Sequence, residues 1–201
     1  MTTRTVAWTI EDGGGEEQAI VVLGPDRMRA QGRATNGDPQ PYTLTYELDT
    51  GPGYVTEALR VVVREAAGER SLTLQRDASG AWITMSAPGG VRRIPDLAGA
   101  VDCDLGRCPV TNTMPVLREG LLTRDGSVDF AMAWVSVPDL AVRLSRQRYT
   151  TLGTDPDGLR RIRFESLDSS FVSDLTFDAD GLVVDYPQMA RRAGPRPTPG
   201  S

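Results

Sequence analysis

Apolar and polar residues alternate in short runs over most of this chain. In Tyr42–Leu48, for example, tyrosine or leucine occupies every second position, and threonine or glutamate fills the positions between. A period of two residues is typical of a β-strand that buries one face. The pattern predicts strands over residues 4–10, 19–23, 42–48, 55–65, 70–76, 81–85, 128–137, 141–152, 159–167, 171–177 and 182–186, with a more polar continuation over 26–35.

Turns rich in glycine, aspartate and asparagine separate these strands. They lie at Asp12–Gly15, Asn36–Pro39, Asp77–Gly80, Asp155–Gly158 and Asp178–Gly181. Such residues adopt the backbone angles of tight turns and favour hairpins between antiparallel neighbours. A short helical turn is predicted only around residues 113–119. The chain is therefore predicted to be mainly β and antiparallel, with little helix.

Two runs are apolar on both faces of the predicted strand. Ala19–Leu23 is continuously apolar, and Val128–Val137 places Phe130, Met132 and Trp134 opposite alanines and valines. A strand of this kind is typical of a position covered on both sides. We therefore predict that both runs are buried on both faces.

A weak repeat relates the two halves of the chain. Leu74–Gly80 resembles Leu175–Gly181, 101 residues later, and at the same offset Arg60–Val63 falls on Arg161–Phe164. One interpretation is that Asp-x-x-Gly turns recur by chance. The other is that two similar β-halves are joined by a central stretch.

The length of 201 residues is typical of one domain, which we place at residues 1–190. The end of the chain, residues 191–201, is rich in proline and arginine and has little to bury. It is predicted to be a disordered tail.

The basic residues exclude much chemistry, because all 22 are arginine and the chain has no lysine and no histidine. Ser-His-Asp and Cys-His pairs, Schiff-base lysines, phosphate-loop lysines and histidine metal sites are all ruled out. Arginine stays protonated and is a poor general base. The net charge of −5 disfavours a nucleic-acid surface. We expect a binding protein with no cofactor and no metal, rather than an enzyme.

Location follows from the apolar runs and the cysteines. No apolar run approaches the ~18 residues of a transmembrane helix, and the first residues show no secretory signal. Two cysteines without an export signal favour a reducing cytoplasm. Cys103 and Cys108 are expected to be buried free thiols, because no histidine or lysine is present to activate them.

The central stretch Val101–Leu122 combines features found nowhere else in the chain. It holds both cysteines, Asp102, Asp104, Thr111–Thr113, two prolines and Arg118, with neither helical nor strand periodicity. Pro109 and Pro115 each remove a backbone donor and favour extended geometry before them. We therefore predict a segment held by side chains, which joins the two β-halves.

These residues carry a resemblance that spans about Trp8 to Arg191. The chain resembles the putative glycolipid-binding family of bacterial proteins. The matching motifs are Asp102-Cys103-Asp104-Leu105, Pro109–Pro115 with Arg118, Ala133-Trp134-Val135 with Pro138, Gln147 with Tyr149, and Gly181–Pro187. The family pattern commonly has two adjacent arginines after the second proline, where this chain has Arg118 beside Glu119.

The resemblance implies two similar β-halves that form an unclosed, barrel-like sheet similar to that of periplasmic lipoprotein carriers. Relatives with this fold hold acyl chains against a concave apolar face, so the resemblance implies an amphiphile as ligand. This is an analogy at the level of the fold.

Aromatic residues are the first candidates for ligand contact, because they offer flat area and a polar edge. They either line a cavity or fill the core. Both interpretations apply to the same six residues, Trp8, Tyr42, Tyr46, Trp82, Trp134 and Tyr149.

Arg118, with Asp102 and Asp104, has two interpretations. Its guanidinium could bind an anionic headgroup. Alternatively, an ion pair locks the joint between halves, with Thr111 and Asn112 capping backbone groups and Pro109 and Pro115 shaping the segment.

Two further groups of charged residues each have a functional and a structural interpretation. A cluster of arginines could attract anionic lipids or form a solvated edge; its members are Arg143, Arg146, Arg148, Arg160, Arg161 and Arg163. The carboxylate pairs Asp102/Asp104 and Asp178/Asp180 could in principle do acid–base work. Alternation puts each pair on one face of its strand, and Asp178 and Asp180 fit turn positions better.

The main hypothesis is non-enzymatic binding of a glycolipid or fatty-acyl compound in an apolar concave face between the β-halves. The alternative is a protein-interaction or homodimerisation module that uses the same groove or an open β edge. A carboxylate-dependent hydrolase is a third possibility. The protein is expected to be a monomer or homodimer.

Overall fold

The computed structural model describes residues 1–11, 13–37, 39–87 and 89–194. Within these ranges the chain forms one short helix, α1 (Thr113–Arg118), three 3-10 turns and fifteen strands. The strands are β1 (Thr2–Ile10), β2 (Gly15–Leu23), β3 (Met28–Asn36), β4 (Tyr42–Thr50), β5 (Thr56–Glu65), β6 (Gly68–Arg76), β7 (Trp82–Ala87), β8 (Gly90–Arg93), β9 (Asp102–Leu105), β10 (Ser127–Val135), β11 (Val142–Thr154), β12 (Arg160–Ser166), β13 (Val172–Phe177), β14 (Val183–Tyr186) and β15 (Ala190–Arg192).

All fifteen strands belong to one sheet, whose order is β8-β7-β6-β5-β4-β3-β2-β1-β15-β14-β13-β12-β11-β10-β9. Each strand from β1 to β8 pairs with the next, and the second half repeats this arrangement from β9 to β15. The halves meet where β1 pairs with β15. The pairs are antiparallel except for β9 with β10. The sheet is not closed, so the prediction of an unclosed antiparallel sheet built from two halves is confirmed.

The alternating pattern determines which face of each strand is buried. In β4, Tyr42, Leu44, Tyr46 and Leu48 are all buried, while the residues between them are partly or fully exposed. The prediction for Ala19–Leu23 is wrong, because Ile20 is 41% exposed on the outer face. In β10 the prediction is right for the middle of the strand, where neighbouring residues on opposite faces are both buried.

The end of the chain does not match its prediction either. Residues 190–192 form β15, which pairs with β1 on one side and β14 on the other. The predicted disordered tail therefore begins too early at 191, and its last part, 195–201, lies outside the described residues. Few apolar residues are needed here, because a short strand in the middle of a sheet is held by backbone hydrogen bonds on both edges.

The repeated Asp-x-x-Gly turns share one geometry. The Oδ1 atoms of Asp77 and Asp178 each accept hydrogen bonds from the backbone nitrogens two and four residues later. Asp155 does the same, although it lies outside the repeat. Leu74 pairs with Leu59, whereas its equivalent Leu175 pairs with Ile162, two residues beyond the equivalent position. The turn is thus common to both halves, and the registers of the two hairpins differ.

Residues 95–122 are here called the central segment. They pack against the inner face of the sheet and form one hydrophobic core with it. Many of its apolar side chains are almost completely buried, among them Leu97, Ala100, Cys103, Leu105, Val110, Met114, Val116 and Leu121. It bonds to the first half where Trp82 Nε1 donates to the Ala100 carbonyl at 2.9 Å. It bonds to the second half where Tyr149 Oη donates to Asn112 Oδ1 at 2.9 Å. The protein's own chain therefore covers much of the concave face.

Candidate functional site

A cavity of about 260 Å³ lies at one end of the inner face, where the central segment meets the second half of the sheet. Arg143, Ser145 and Gln147 of β11 line it one after another, because alternate residues of a strand share a face. Its walls include apolar, aromatic and polar groups. They are Asp104, Leu105, Gly106, Arg107, Cys108, Pro109, Asn112, Trp134, Arg143, Ser145, Gln147, Phe164, Ser166, Ser169, Phe171, Tyr186 and Met189.

Asp104 forms the polar floor of this cavity together with Gln147. Gln147 Nε2 donates to Asp104 Oδ2 at 2.6 Å, and Thr111 Oγ1 donates to Oδ1 at 3.1 Å. Burial raises the pKa of Asp104, and the two donated hydrogen bonds oppose that shift. A carboxylate held in this way still has acceptor capacity for a ligand hydroxyl.

Phe164, Phe171 and Tyr186 form an aromatic wall beside this floor. Phe164 contacts Phe171 and Tyr186 with ring centroids 5.8 and 6.1 Å apart. Behind this wall, in the core, Tyr149 contacts Phe164 and Phe130 at 5.6 and 5.2 Å. Aromatic side chains next to hydrogen-bonding groups are typical of sites that bind ring-shaped polar ligands.

Of the six aromatic candidates, Trp134 lines this cavity and keeps partial exposure. The other five are at most 7% exposed and belong to the hydrophobic core. Trp8 Nε1, for example, donates to the Val183 carbonyl at 2.9 Å. Ligand contact by Trp8, Tyr42, Tyr46, Trp82 and Tyr149 stays a prediction, and none of these five borders the cavity.

Arg118 is bound within the protein. Its Nη1 and Nη2 atoms donate to the two carboxylate oxygens of Asp102 at 2.5 and 2.6 Å, and Nε donates to Glu119 at 3.1 Å. The guanidinium also lies 5.5 Å from the ring centroid of Phe130. Burial raises the pKa of Asp102, which the Arg118 charge opposes. These contacts agree with the structural interpretation of Arg118, and ligand contact stays a prediction.

The other residues of the predicted structural motif occupy one compact turn and its continuation into α1. Pro109, Thr111 and Asn112 lie in a buried 3-10 turn, and Pro115 is buried in α1. Thr111 Oγ1 also lies 2.9 Å from the Cys108 carbonyl oxygen, so its single hydroxyl proton is shared between this oxygen and Asp104 Oδ1. This turn places Thr111 against Asp104 and Asn112 against Tyr149.

Both cysteines are free and buried. Cys108 Sγ donates to Glu17 Oε1 at 3.1 Å, and Tyr46 Oη donates to the same oxygen at 2.7 Å. Burial raises the pKa of Glu17 from 4.5 to about 7. Burial likewise raises the pKa of the Cys103 thiol to about 12, so this residue remains a thiol rather than a thiolate.

The arginine cluster is largely neutralised by carboxylates. Arg148 binds Asp129 through two hydrogen bonds, and Arg161 and Arg163 both contact Asp174. Arg160 pairs with Asp125 at 2.6 Å, and Arg146 with Asp168 at 3.7 Å. Arg143 differs from these five, because its guanidinium lies over the Trp134 ring at 4.1 Å from the centroid.

Metal-binding clusters and membrane-spanning helices are both absent from the residues that the structure describes. Residues 1–11, 13–37, 39–87 and 89–194 contain no group of three or more acidic or cysteine side chains that could hold a metal ion. They also contain no helix with the length and apolar character needed to cross a membrane.

The sequence reasoning missed several residues around the site. Phe164, Phe171 and Tyr186 alternate correctly within their strands or adjoining turn, but nothing local indicated that they meet. Glu17 had a usable signal, because it lies in phase with Ala19 and Val21 on the buried face of β2. An acidic residue at such a position indicates a buried carboxylate.

Residues 5–192 match the family model described as "Putative glycolipid-binding". A DUF1089 family protein from Pseudomonas aeruginosa, known from a crystal structure, is 29% identical to this chain with a TM-score of 0.70. That alignment covers 88% of this chain and 92% of the other. A β-barrel-like protein of the DUF1849 family from Brucella abortus has a TM-score of 0.52 at 8% identity, covering 94% and 92%, which shows likeness of fold alone. No functionally curated protein matches the chain.

Proposed function

Since this chain belongs to the putative glycolipid-binding family, we propose that it binds an amphiphile, either a glycolipid or a fatty-acyl compound, without altering it chemically. The polar headgroup enters the cavity beside Trp134. One observation carries this proposal: a wall of aromatic rings faces a floor of hydrogen-bonding groups in a cavity about the size of a headgroup.

The floor suits a polyol. The Asp104 carboxylate accepts hydrogen bonds from hydroxyl groups, and the Gln147 and Asn112 side chains lie beside it in the same cavity. The faces of sugar rings carry apolar C–H groups, which pack well on aromatic surfaces. The headgroup, rather than the lipid chain, is therefore the part that this cavity recognises.

The size of the cavity also indicates that it holds the headgroup and not the lipid chain. Pockets that enclose whole drug-sized molecules are roughly 300–1,000 Å³, and this one is about 260 Å³. The central segment fills much of the remaining inner face. The lipid chain accordingly stays outside the enclosed volume.

Binding without catalysis agrees with the contacts of the two central carboxylates. Asp102 is held by Arg118 through both oxygens, and Asp104 is held by Gln147 and Thr111. A catalytic acid–base pair requires groups free to exchange protons with a substrate. Asp102→Asn and Asp104→Asn variants assayed for hydrolysis of glycoside and ester substrates test this, since any hydrolysis lost in either variant contradicts the proposal.

The test is a titration with octyl glucoside below its critical micelle concentration and with vesicles that contain a glycolipid. Binding is followed by isothermal calorimetry and by tryptophan fluorescence, to which Trp134 is the partly exposed contributor at the cavity. We expect Asp104→Asn to weaken binding about tenfold or more, because it removes a charged acceptor. The control is Asp129→Asn, which alters an exposed carboxylate paired with Arg148.

Three outcomes are informative. A defect confined to Asp104→Asn, with unchanged circular dichroism, supports the proposal. Equal binding by both variants and the wild type places the ligand elsewhere. Failure of the wild-type protein to bind either probe contradicts amphiphile binding at this cavity.

A second candidate function is self-association or protein binding through the open edge at β8. All four residues of β8 are exposed, and Val91, which is 70% exposed, lies opposite the partly exposed Met85 of β7. An exposed strand edge with apolar side chains can pair with another strand. Light scattering at several concentrations tests this: a dimer that Val91→Lys disrupts favours the interaction module, and a monomer at all concentrations excludes self-association.

A further inference from the structure

Three side chains form a row across the last strands of the sheet at the cavity. In the register of β9, β10 and β11, Trp134 lies directly opposite Asp104 on one side and Arg143 on the other. Neighbouring strands are about 4.8 Å apart, so residues at paired positions project side by side from one face. The row therefore runs from the carboxylate on the cavity floor, across the indole, to a guanidinium.

Arg143 differs from its neighbours in its electrostatic partners. The other five arginines of the cluster each lie within 4.0 Å of a carboxylate oxygen. Among the described residues, no carboxylate oxygen lies that close to Arg143, and its guanidinium stacks on the Trp134 ring. Stacking on an indole fixes the plane of a guanidinium while its N–H donors point outward around the edge.

Exposure changes in a regular way along β11. Arg143 is exposed, Ser145 is half-buried, and Gln147 is buried at the floor. These three residues share one face, and four residues of strand span about 13 Å. The positive charge therefore lies at the mouth of the cavity, and the hydroxyl-binding groups lie inside.

Asp104 determines where a negative charge can be placed. An anion at the floor would lie beside the Asp104 carboxylate and be repelled. An anion at the mouth would instead meet the donors of Arg143. Arg107 also borders the cavity, and its Nη1 donates to Asn36 Oδ1 at 2.8 Å. Asp104 and Arg143 thus favour a ligand with a neutral polyol inside and an anionic group outside.

We infer that the ligand is an anionic headgroup, a sugar or other polyol that carries a phosphate or carboxylate, with Arg143 binding the anion at the mouth. This inference rests on the proposed function and adds the substrate class to it. Arg143 then determines specificity between anionic and neutral headgroups. The phosphodiester of a membrane lipid and a free sugar phosphate share this chemistry.

The net charge of the chain sharpens the test. At −5, the protein as a whole is repelled by an anionic membrane, so a preference for anionic lipid requires a local site. The experiment compares phosphatidylcholine vesicles that contain equal mole fractions of phosphatidylinositol, a neutral galactolipid or phosphatidylserine. Inositol phosphate, methyl glucoside and inorganic phosphate are tested as soluble competitors.

The variants are Arg143→Gln, Arg143→Lys and the control Arg146→Gln, which removes an arginine of the same strand that pairs with Asp168. We expect phosphatidylinositol to bind about tenfold or more tightly than the galactolipid, since a charge-assisted hydrogen bond is stronger than a neutral one. Arg143→Gln should remove that preference but retain galactolipid binding, Arg143→Lys should retain part of it, and Arg146→Gln should match the wild type.

The outcomes separate this inference from the function on which it rests. Equal binding of both glycolipids, or equal weakening of both by Arg143→Gln, overturns the anionic preference but leaves glycolipid binding intact. Binding of phosphatidylserine as tight as phosphatidylinositol, or competition by inorganic phosphate as strong as by inositol phosphate, shows an anion site without polyol recognition and also overturns it. Failure of every vesicle and of inositol phosphate to bind, the latter measured directly by calorimetry, overturns both. Direct binding of inositol phosphate without vesicle binding identifies a free sugar phosphate as the ligand and overturns amphiphile binding alone.

Discussion

At the scale of single residues, the stability of this protein depends on charged groups placed inside it. Glu17 is completely buried, and its Oε1 atom receives hydrogen bonds from Tyr46 and Cys108. Among the residues that the structure describes, its Oε2 atom has no hydrogen-bond partner. A buried carboxylate without a cation is more stable in the protonated form.

Glu17 should therefore make the protein less stable as the pH rises. Its pKa in the folded state is about 7, compared with an ordinary value of 4.5. The folded protein keeps a proton that the unfolded chain releases in this interval. The free energy of unfolding is expected to fall between these two pH values and then level off, by up to about 3 kcal/mol in all.

Urea unfolding at a series of pH values, followed by tryptophan fluorescence, measures this effect in Glu17→Gln. The variant should lose the decline and be more stable than the wild type above pH 7. Glu47→Gln is the control, because the side chain of Glu47 is 65% exposed. An undiminished decline in Glu17→Gln would assign the pH dependence to other groups.

The Asp102–Arg118 ion pair should be worth far more than a similar pair on the surface. Removing one partner of a buried pair leaves an uncompensated charge and costs about 3–5 kcal/mol. The pair Asp129–Arg148 has the same two-point geometry, at 2.6 and 2.9 Å, but its side chains are about half-exposed. Exposed pairs contribute about 0–1 kcal/mol.

A double-mutant cycle on each pair tests this difference. Asp102→Asn and Arg118→Met should show a coupling energy of about 2 kcal/mol or more, whereas the coupling between Asp129→Asn and Arg148→Met should be much smaller, because solvent screens the exposed pair. Equal coupling energies in the two cycles would mean that burial does not strengthen the inner pair.

At the scale of elements, local patterns predicted the long strands well. Tyr42–Leu48 alternates cleanly, and β4 covers it with two further residues. The strands that were missed are short: β8, β9 and β15 have three or four residues each. So few residues cannot display a period, and their pairing depends on partners distant in the sequence.

The short strand β15 should be essential although its sequence carries so little signal. It joins the two halves of the sheet by pairing with β1 and β14, and Ala193 N donates to the Ala7 carbonyl at 2.8 Å. A chain that ends at Gln188 would leave two inner strand edges unpaired. We expect it to lose about 3 kcal/mol or more of unfolding free energy, or to aggregate.

The matched control ends at Gly194 and retains all the contacts that β15 makes with the described residues. Its denaturation midpoint should equal that of the full chain, as measured by circular dichroism in urea. If the chain that ends at Gln188 unfolds at the same midpoint as the control, β15 does not join the two halves.

At the scale of the whole molecule, the sequence predicted an open β architecture but not what fills it. The stretch Val101–Leu122, which is most of the central segment, was recognised as unusual from its prolines, cysteines and charges. That it lies against the inner face depends on distant contacts, such as Cys103 N donating to Thr56 Oγ1 at 3.0 Å. For the same reason Trp134 could not be separated from the five buried aromatic candidates, since all six fit a strand pattern equally well.

This filling of the inner face leads to a prediction about lipid chains. If the sheet enclosed an alkyl chain, each added CH₂ would contribute about 0.8 kcal/mol, or roughly fourfold in affinity. The central segment occupies that surface instead, and the cavity of about 260 Å³ accommodates a headgroup. Affinity should therefore depend on the headgroup and hardly at all on chain length.

A series of hexyl, octyl and decyl glucosides, each below its critical micelle concentration, measures this dependence by calorimetry. We expect less than about a twofold change in affinity between successive members, compared with about fifteenfold if two CH₂ groups were buried. The same series with Asp104→Asn identifies the part of the signal that arises at the cavity. A steep rise with chain length would mean that the central segment moves away from the sheet to admit the lipid, and the proposed division between an enclosed headgroup and an external chain would be wrong.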